Sequence, residues 1–295
     1  MLTADLMKKV RQIEIGTRHL VTESFAGEYH SVFKGQGMEF DDVRPYSPGD
    51  DIRMIDWNVT ARMGSLFIRR YKEERELTVM LAVDASGSSD FGTVDRYKRE
   101  LAAELGAVLS FAATQNNDNV GLLIFTDQIE MMMPPRKGRR HVLRLIRDLL
   151  AFVPRSRGTD IRLAFNTINR IIKRHSVVFV ISDFLADPEI YRSSLSITSQ
   201  RHDVIAIDVS DPLEREIPKV GLMALKDAET DEVSWVDTDS RRWRDDFTKR
   251  VENMERLKGR TFESLGVDYV KVSTDKDYVS DLTAFFRKRS KRRPR

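Results

Sequence analysis

The sequence predicts an α/β fold, a doubly wound and mostly parallel β-sheet. The strongest indication is the run 77–83, which is apolar apart from Thr78 and is typical of a strand buried on both faces. Two later apolar runs, 176–181 and 204–209, also end close to an aspartate. Segments with apolar residues at helical spacing lie between these runs, and such alternation is the pattern of consecutive βαβ units.

The other elements follow from the same two periodicities. Apolar runs predict the main strands at 77–83, 120–125, 176–181, 204–209 and 267–272, and a hairpin mate of the second strand at 129–133. Amphipathic spacing predicts helices at 95–115, 138–152, 161–174, 188–200 and 278–287. Because crossovers between parallel strands are right-handed, the carboxyl ends of the strands should share one edge of the sheet.

Residue composition and the spacing of apolar residues divide the chain into three parts. Residues 1–75 are predicted to hold an N-terminal helix, at about 1–20, and a small β-rich accessory subdomain with many glycine, aromatic and turn residues. Within it, Ile52, Ile55 and Val59 indicate one short helix. Residues 76–287 form the α/β domain, with a hairpin and helix inserted at about 212–265, and residues 288–295 form a basic tail.

Charge is unevenly distributed along the 295 residues. The formal net charge is +3, but the last nine residues carry seven positive charges, so the rest of the chain carries about −4. The tail is expected to be solvated and disordered; contact with acidic lipid, nucleic acid or a partner is the alternative. Nucleic-acid binding is not expected, because no aromatic residues interleave with the tail.

The composition also limits the compartment and the kinds of site. The chain has no cysteine, which excludes disulfides and thiolate metal sites and fits a reducing cytoplasm. No stretch approaches the roughly 18 apolar residues of a membrane span, and the N-terminus does not read as a signal peptide. The five histidines show no paired ligand spacing, so zinc is not expected.

Oxygen-bearing side chains follow the predicted strands at the shared edge. Asp84, Ser86 and Ser88 come directly after the first strand, Asp183 ends a later strand, and Thr159 stands in a Gly-Thr-Asp turn before a helix. Such hard oxygens suit Mg²⁺, Mn²⁺ or Ca²⁺. We therefore expect one divalent cation held by the three hydroxyls, with the two acids acting directly or through water.

This donor set favours binding over catalysis. Neutral hydroxyls leave the ion weakly neutralised, with an open position for an incoming Asp or Glu of a partner protein, and no general base stands near it. Simpler structural roles compete with this hypothesis. The Asp84–Ser88 segment would then cap the following helix, Thr159 would be an N-cap hydroxyl, and Asp183 a turn acid.

The motifs resemble two known groups of proteins. D-A-S-G-S, G-T-D and I-S-D-F resemble the metal-ion-dependent adhesion site of von Willebrand factor type A domains. The upstream stretches S-V-F-K-G-x-G-M-E-F and R-P-Y-S-P-G-D-D-I-R-x-I-D-W-N-V-T-A-R resemble the signature of the domain of unknown function 58 family. The resemblance covers about residues 20–290 and implies a von Willebrand A-like, Rossmann-type fold.

The resemblance carries further expectations. It implies a divalent metal, usually Mg²⁺, with metal roles for Asp84, Ser86, Ser88, Thr159 and Asp183. Many relatives have methionine where Ser89 stands here, outside the ligand set. The family often carries two membrane helices before its signature, and this chain resembles the soluble branch. Its members are commonly paired with MoxR-type AAA+ ATPases, with chaperone-like assembly or maturation work as the usual proposal.

Two enzyme hypotheses compete with the binding module. A hydrolase, an esterase or phosphatase, would use Ser86, Asp183 and His202 as a triad at the same edge. The G-x-S-x-G elbow is absent, however, and His202 precedes its strand, which should place it at the opposite edge. An aspartyl phosphotransferase would need a second acid where Ser86 stands. We expect a protein that is not an enzyme, with the hydrolase as the alternative.

Overall fold

The computed structural model describes residues 11–12, 27, 29, 32–33, 38–73, 76–94 and 96–291. The predicted N-terminal helix falls outside these residues except at 11–12, and so do the last four residues of the basic tail. The chain separates into two compact units. Residues 33–77 form the smaller unit, and residues 1–32 and 78–295 form the larger one.

The smaller unit contains strand β1 (Met38–Pro45), helix α1 (Trp57–Met63) and strand β2 (Phe67–Glu73), and the two strands pair antiparallel. The predicted single short helix is divided in two, because a 3₁₀ turn at Ile52–Met54 precedes α1. The division has a local cause. Asp56 caps α1 by accepting hydrogen bonds from the backbone N–H groups of Asn58 and Val59, and Ile55 forms a β-bridge with Ile68.

The larger unit is built on a six-stranded sheet. Its strands and those of an added hairpin are β3 (Thr78–Asp84), β4 (Asn119–Phe125), β5 (Ile129–Arg136), β6 (Val177–Ser182), β7 (Asp203–Ser210), β8 (Leu222–Lys226), β9 (Val233–Asp237) and β10 (Asp268–Ser273). The sheet order is β10-β7-β6-β3-β4-β5, and every pair is parallel except the edge pair β4–β5. The predicted doubly wound, mostly parallel α/β fold is confirmed.

Helices connect the strands of the larger unit. They are α2 (Lys98–Gln115), α3 (Arg139–Leu150), α4 (Ile161–Ile171), α5 (Pro188–Arg201), α6 (Arg241–Ser264) and α7 (Tyr278–Ser290). Among the described residues, no helix is both long and apolar enough to cross a membrane. Helix α2 is buried along nearly its whole length from Leu101 to Ala113, so it packs as a central element and not as the amphipathic surface helix that its spacing predicts.

The segment predicted as an insertion contains two kinds of structure. Helix α6 connects β7 to β10, which are parallel neighbours, so α6 is the crossover of that pair. The β8–β9 hairpin forms its own two-stranded antiparallel sheet ahead of α6. The hairpin is therefore the element added to the alternating pattern.

The strand order places a crevice at the end of β3. From β3 the chain moves first to β4 on one side, and later to β6 on the other side. At such a topological switch point the connections leave in opposite directions and open a cleft at the carboxyl ends of the strands. Both Asp84, the last residue of β3, and Asp183, the residue after β6, lie at this point.

Candidate metal-binding site

Asp84 is buried at the end of β3 and is held from two sides. Its Oδ1 accepts a 2.9 Å hydrogen bond from the Ser86 backbone N–H, and its Oδ2 accepts a 2.7 Å bond from the hydroxyl of Ser182 on β6. Burial, and then the negative charge of Asp183, raise the pKa of Asp84 to about 6. The structure thus keeps two carboxylates close together in a position that disfavours the charge of one of them.

Ser86 and Ser88 face each other in the turn after β3. Their hydroxyl oxygens lie 3.1 Å apart, and a short 3₁₀ turn, Gly87–Asp90, holds the segment. Each hydroxyl also lies close enough to one acid to lower its pKa, Ser86 beside Asp84 and Ser88 beside Asp183. Four of the five predicted ligands are therefore gathered by direct contacts.

Asp183 is paired with a buried lysine at the start of α2. Lys98 is only 3% exposed, and its Nζ donates to Asp183 Oδ2 at 2.7 Å and to Glu214 Oε1 at 2.5 Å. Burial acts to raise the pKa of Asp183, but the adjacent ammonium of Lys98 outweighs it and lowers that pKa below its usual value. Asp183 is therefore the charged member of the acid pair.

The turn after Asp183 contains a residue with an unusual backbone conformation. Phe184 is fully buried and has a φ of 49°, in the left-handed region that a bulky side chain rarely adopts. Its N–H donates to the Ser182 hydroxyl at 3.1 Å, while its ring packs edge-on against Phe262 at 5.2 Å. Core packing thus fixes the turn that carries Asp183, and strained backbone of this kind is common at binding sites.

Thr159 lies in a third loop that reaches the same turn through its backbone. The Gly87 N–H donates to the Arg157 carbonyl at 2.8 Å, which attaches the 157–159 loop to the Ser86–Ser88 turn. The Thr159 hydroxyl itself donates to Glu229 Oε1 at 2.6 Å, so it contacts the hairpin tip and not the other four side chains. The N-cap of α4 is Asp160, which accepts from Leu163 N–H, so Thr159 does not have the capping role.

The residues at this edge have the chemistry that a hard divalent cation needs. A cavity of about 20 Å³, enough for one water-sized particle, is lined by Asp84, Ser88 and Asp183 together with Lys98. In the described part of the chain, no cluster of three or more His, Cys, Asp or Glu side chains could hold a metal. An ion at this edge would therefore depend on serine and threonine oxygens as well as the two acids, and that donor set fits Mg²⁺.

The sequence pattern does not indicate three residues that contact the predicted ligands or their partners: Lys98, Glu214 and Glu229. Lys98 lies 85 positions from Asp183, Glu214 lies 116 positions from Lys98, and Glu229 lies 70 positions from Thr159. Contacts between residues so far apart leave no local sequence pattern.

The turn acid Asp211, which the sequence places at the same edge, has a separate role. Its carboxylate accepts from the hydroxyls of Thr93 and Thr274 at 2.5 and 2.7 Å and so ties three loops together.

The fold places the serine and the histidine of the predicted hydrolase triad at opposite ends of the sheet. His202 is the C-cap of α5 and precedes the first residue of β7, so it lies at the amino end of the sheet. Ser86 lies at the carboxyl end, and its hydroxyl contacts Ser88. These two side chains therefore cannot form the Ser–His pair of a hydrolase.

The raised pKa of Asp84 leads us to expect that the stability of the protein depends on pH. The pKa of Asp84 in the folded protein, about 6, lies above its ordinary value of 3.8, so its stabilising protonation is lost as pH rises through 6. In EDTA, the free energy of unfolding should rise by about 1 kcal/mol more in the wild type than in Asp84→Asn when pH falls from 7 to 5. Urea unfolding at both pH values measures this difference, and parallel pH profiles would contradict it.

Comparison with known proteins gives the family. The model of the family described as "Protein of unknown function DUF58" matches residues 42–256. The uncharacterized protein Rv1480 of Mycobacterium tuberculosis is 32% identical over 282 residues, which are 95% of this chain and 88% of that protein. The predicted family is confirmed.

Solved structures similar to this chain have low sequence identity to it. The conserved hypothetical protein BatB from Bacteroides thetaiotaomicron is 16% identical, with a TM-score of 0.49 over 73% of this chain and 99% of that one. The SpRpn10 VWA domain is 11% identical, with a TM-score of 0.40 over 70% of this chain and 94% of that one. The family match covers most of the α/β unit and the upstream stretch at 44–62, and the chain belongs to the DUF58 family.

Proposed function

We propose that this chain is a divalent-metal-dependent protein-binding module that catalyses no reaction. The observation that carries the proposal is the pair of serine hydroxyls, 3.1 Å apart, between the buried carboxylate of Asp84 and the carboxylate of Asp183, which is 9% exposed, at the switch point of the sheet. Ser86, Ser88 and Thr159 would hold Mg²⁺, or Mn²⁺ or Ca²⁺, with Asp84 and Asp183 acting directly or through water. The bound ion would supply a positive centre for a partner's Asp or Glu.

The charge balance at the edge supports this proposal. Of the two aspartates, Asp183 pairs directly with the ammonium of Lys98, and that ammonium is shared with Glu214. Burial, and then the negative charge of Asp183, raise the pKa of Asp84, so its negative charge is disfavoured at this edge. A second positive charge is therefore favourable at this position, and a divalent ion supplies it without a change of fold.

The hairpin beside the site supports a protein as the partner. The side chains of Leu222, Val233 and Trp235 lie on one face of the β8–β9 ribbon, and Leu222 and Trp235 are each 67% exposed. Exposed apolar side chains grouped beside a polar site are typical of surfaces that contact other proteins. The family resemblance favours a MoxR-type AAA+ ATPase in the assembly or maturation of other proteins, in the cytoplasm; no membrane or nucleic acid enters this proposal.

Affinity capture in two buffers tests the proposal. The native protein is used as bait in Mg²⁺ and in EDTA, and bound proteins are identified by mass spectrometry. We expect a partner, an AAA+ ATPase among the candidates, whose recovery falls at least about tenfold in EDTA, because a metal-bridged carboxylate contact is lost with the ion. Equal recovery in both buffers would count against the metal role.

The same preparation addresses the hydrolase alternative. Esterase and phosphatase substrates are offered to the wild type and to Ser86→Ala in Mg²⁺. Turnover that disappears in the variant would favour an enzyme at this edge. The binding module is expected to give no turnover above buffer in either protein.

A further inference from the structure

The tip of the β8–β9 hairpin, residues 227–232, lies on the loops that carry the candidate metal ligands. The Thr159 hydroxyl donates to Glu229 Oε1 at 2.6 Å, which brings a carboxylate of this chain to one of the five predicted ligands. The backbone of the tip is equally close. A Cβ placed on Gly87 would collide with the carbonyl oxygen of Ala228, so only glycine allows this approach.

Ion pairs hold the tip in place. Arg157, in the same loop as Thr159, contacts Asp231 Oδ1 at 2.5 Å, and Lys226 contacts the same oxygen at 2.8 Å. All three side chains are more than half exposed, and pairs exposed to this extent contribute little binding energy each. The tip is therefore positioned over the site by contacts that a competitor can break.

The internal structure of the tip presents Glu229 in a defined way. The Asp227 Oδ1 accepts hydrogen bonds from the Glu229 and Thr230 backbone N–H groups at 2.8 and 2.9 Å, an Asx-turn arrangement. Asp231 has a φ of 62°, which closes the turn back towards β9. The turn thus fixes the direction of the Glu229 backbone, and its carboxylate reaches the site without further ordering of the loop.

We propose that Glu229 is an internal carboxylate for the metal-binding edge: it takes, beside Thr159, the position that a partner's acid occupies, and the partner must displace the hairpin tip. This inference rests on the function proposed above. It adds a specific competitor within the chain. Since a tethered carboxylate is always at high local concentration, an isolated carboxylate displaces it only in large excess, whereas a partner that also contacts other surfaces displaces it at lower concentration. The apparent affinity for an isolated external carboxylate is the intrinsic affinity multiplied by the fraction of molecules in which the hairpin tip is open.

Hydrogen exchange and Mn²⁺ binding test the proposal on the full chain. Three proteins are compared: the wild type, Glu229→Gln, and Glu232→Gln, which removes the same charge from an exposed carboxyl elsewhere on the tip. Mn²⁺ affinity is measured by electron paramagnetic resonance. Exchange of the amides in 227–232 is measured by mass spectrometry in EDTA, in Mg²⁺, and in Mg²⁺ with excess acetate as a free carboxylate.

In the wild type and Glu232→Gln, Mg²⁺ should slow exchange of the tip about tenfold, and acetate should reverse the slowing. Glu229→Gln should show no such slowing and should bind Mn²⁺ several-fold more weakly, because a carboxylate contact to the ion is missing. If all three proteins bind Mn²⁺ equally and the tip exchanges at the same rate with and without Mg²⁺, the internal carboxylate is refuted and the metal site stands. If the wild type binds no Mn²⁺, the metal-dependent function fails and the inference fails with it.

Discussion

Asp84→Ala is expected to lower divalent-metal affinity by more than about a hundredfold and to abolish Mg²⁺-dependent partner capture, while the fold persists. The variant removes the buried acid of the pair, and it also removes the acceptor that orients the Ser86 backbone and the Ser182 hydroxyl. Loss of an orienting group alone costs about 10- to 100-fold in metal affinity, and loss of a charge at the ion costs more. Calorimetric titration with Mn²⁺ measures the affinity, and circular dichroism measures the fold.

The fold should survive because Asp84 adds repulsion to the metal-free protein. Its charge opposes that of Asp183, and deletion of the carboxylate relieves this repulsion in exchange for two hydrogen bonds. Asp90→Ala is the matched control, since Asp90 is an exposed acid in the same turn that pairs with Arg99. An Asp84→Ala protein that binds Mn²⁺ as tightly as the Asp90→Ala control would remove the metal site from the proposed function.

The sheet was predictable because its main strands coincide with continuous apolar runs in the sequence. The observed strand β3, Thr78–Asp84, differs from its predicted run by one residue at each end. Differences arise where tertiary contacts decide. Strand β5 continues through Pro134 and Pro135 to Arg136, beyond its predicted end at 133, because an edge strand tolerates residues that lack a backbone N–H. The helix at 52–59 divides because Ile55 pairs with Ile68, and spacing cannot show such a partner.

The candidate site was predictable only in its donor atoms. Strand ends and a Gly-Thr-Asp turn indicate where oxygens collect, and the contacts among Asp84, Ser86, Ser88 and Asp183 have that origin. The partners that set the charges come from distant parts of the chain. Lys98 stands at the first position of a helix, where a lysine is ordinarily solvated, and only the fold brings it to Asp183. The sequence thus indicates a site but not its electrostatic balance.

Lys258→Met is expected to destabilise the protein by about 3–5 kcal/mol, the largest effect on stability that we predict. Lys258, on α6, is 2% exposed, and its Nζ donates to Asp208 Oδ2 at 2.9 Å and to the Asp183 carbonyl at 3.1 Å. Tyr269 donates to the same Asp208 oxygen at 2.5 Å. Methionine fills the space but leaves Asp208 buried without a counterion, and burial already raises the pKa of that acid. Urea unfolding at pH 7 measures the loss.

The double variant Lys258→Met/Asp208→Leu separates the cost of an unpaired charge from the loss of the link to the site. Replacing both partners by apolar side chains removes the buried charge, so most of the lost stability should return, to within about 1–2 kcal/mol of wild type. The bond from Lys258 to the Asp183 carbonyl does not return, and the turn that carries Asp183 loses this support. We therefore expect the double variant to regain stability while its Mn²⁺ affinity remains about tenfold below wild type. Recovery of both properties together would show that α6 stabilises the fold without positioning Asp183, and that the Phe184 turn alone is sufficient to hold this ligand.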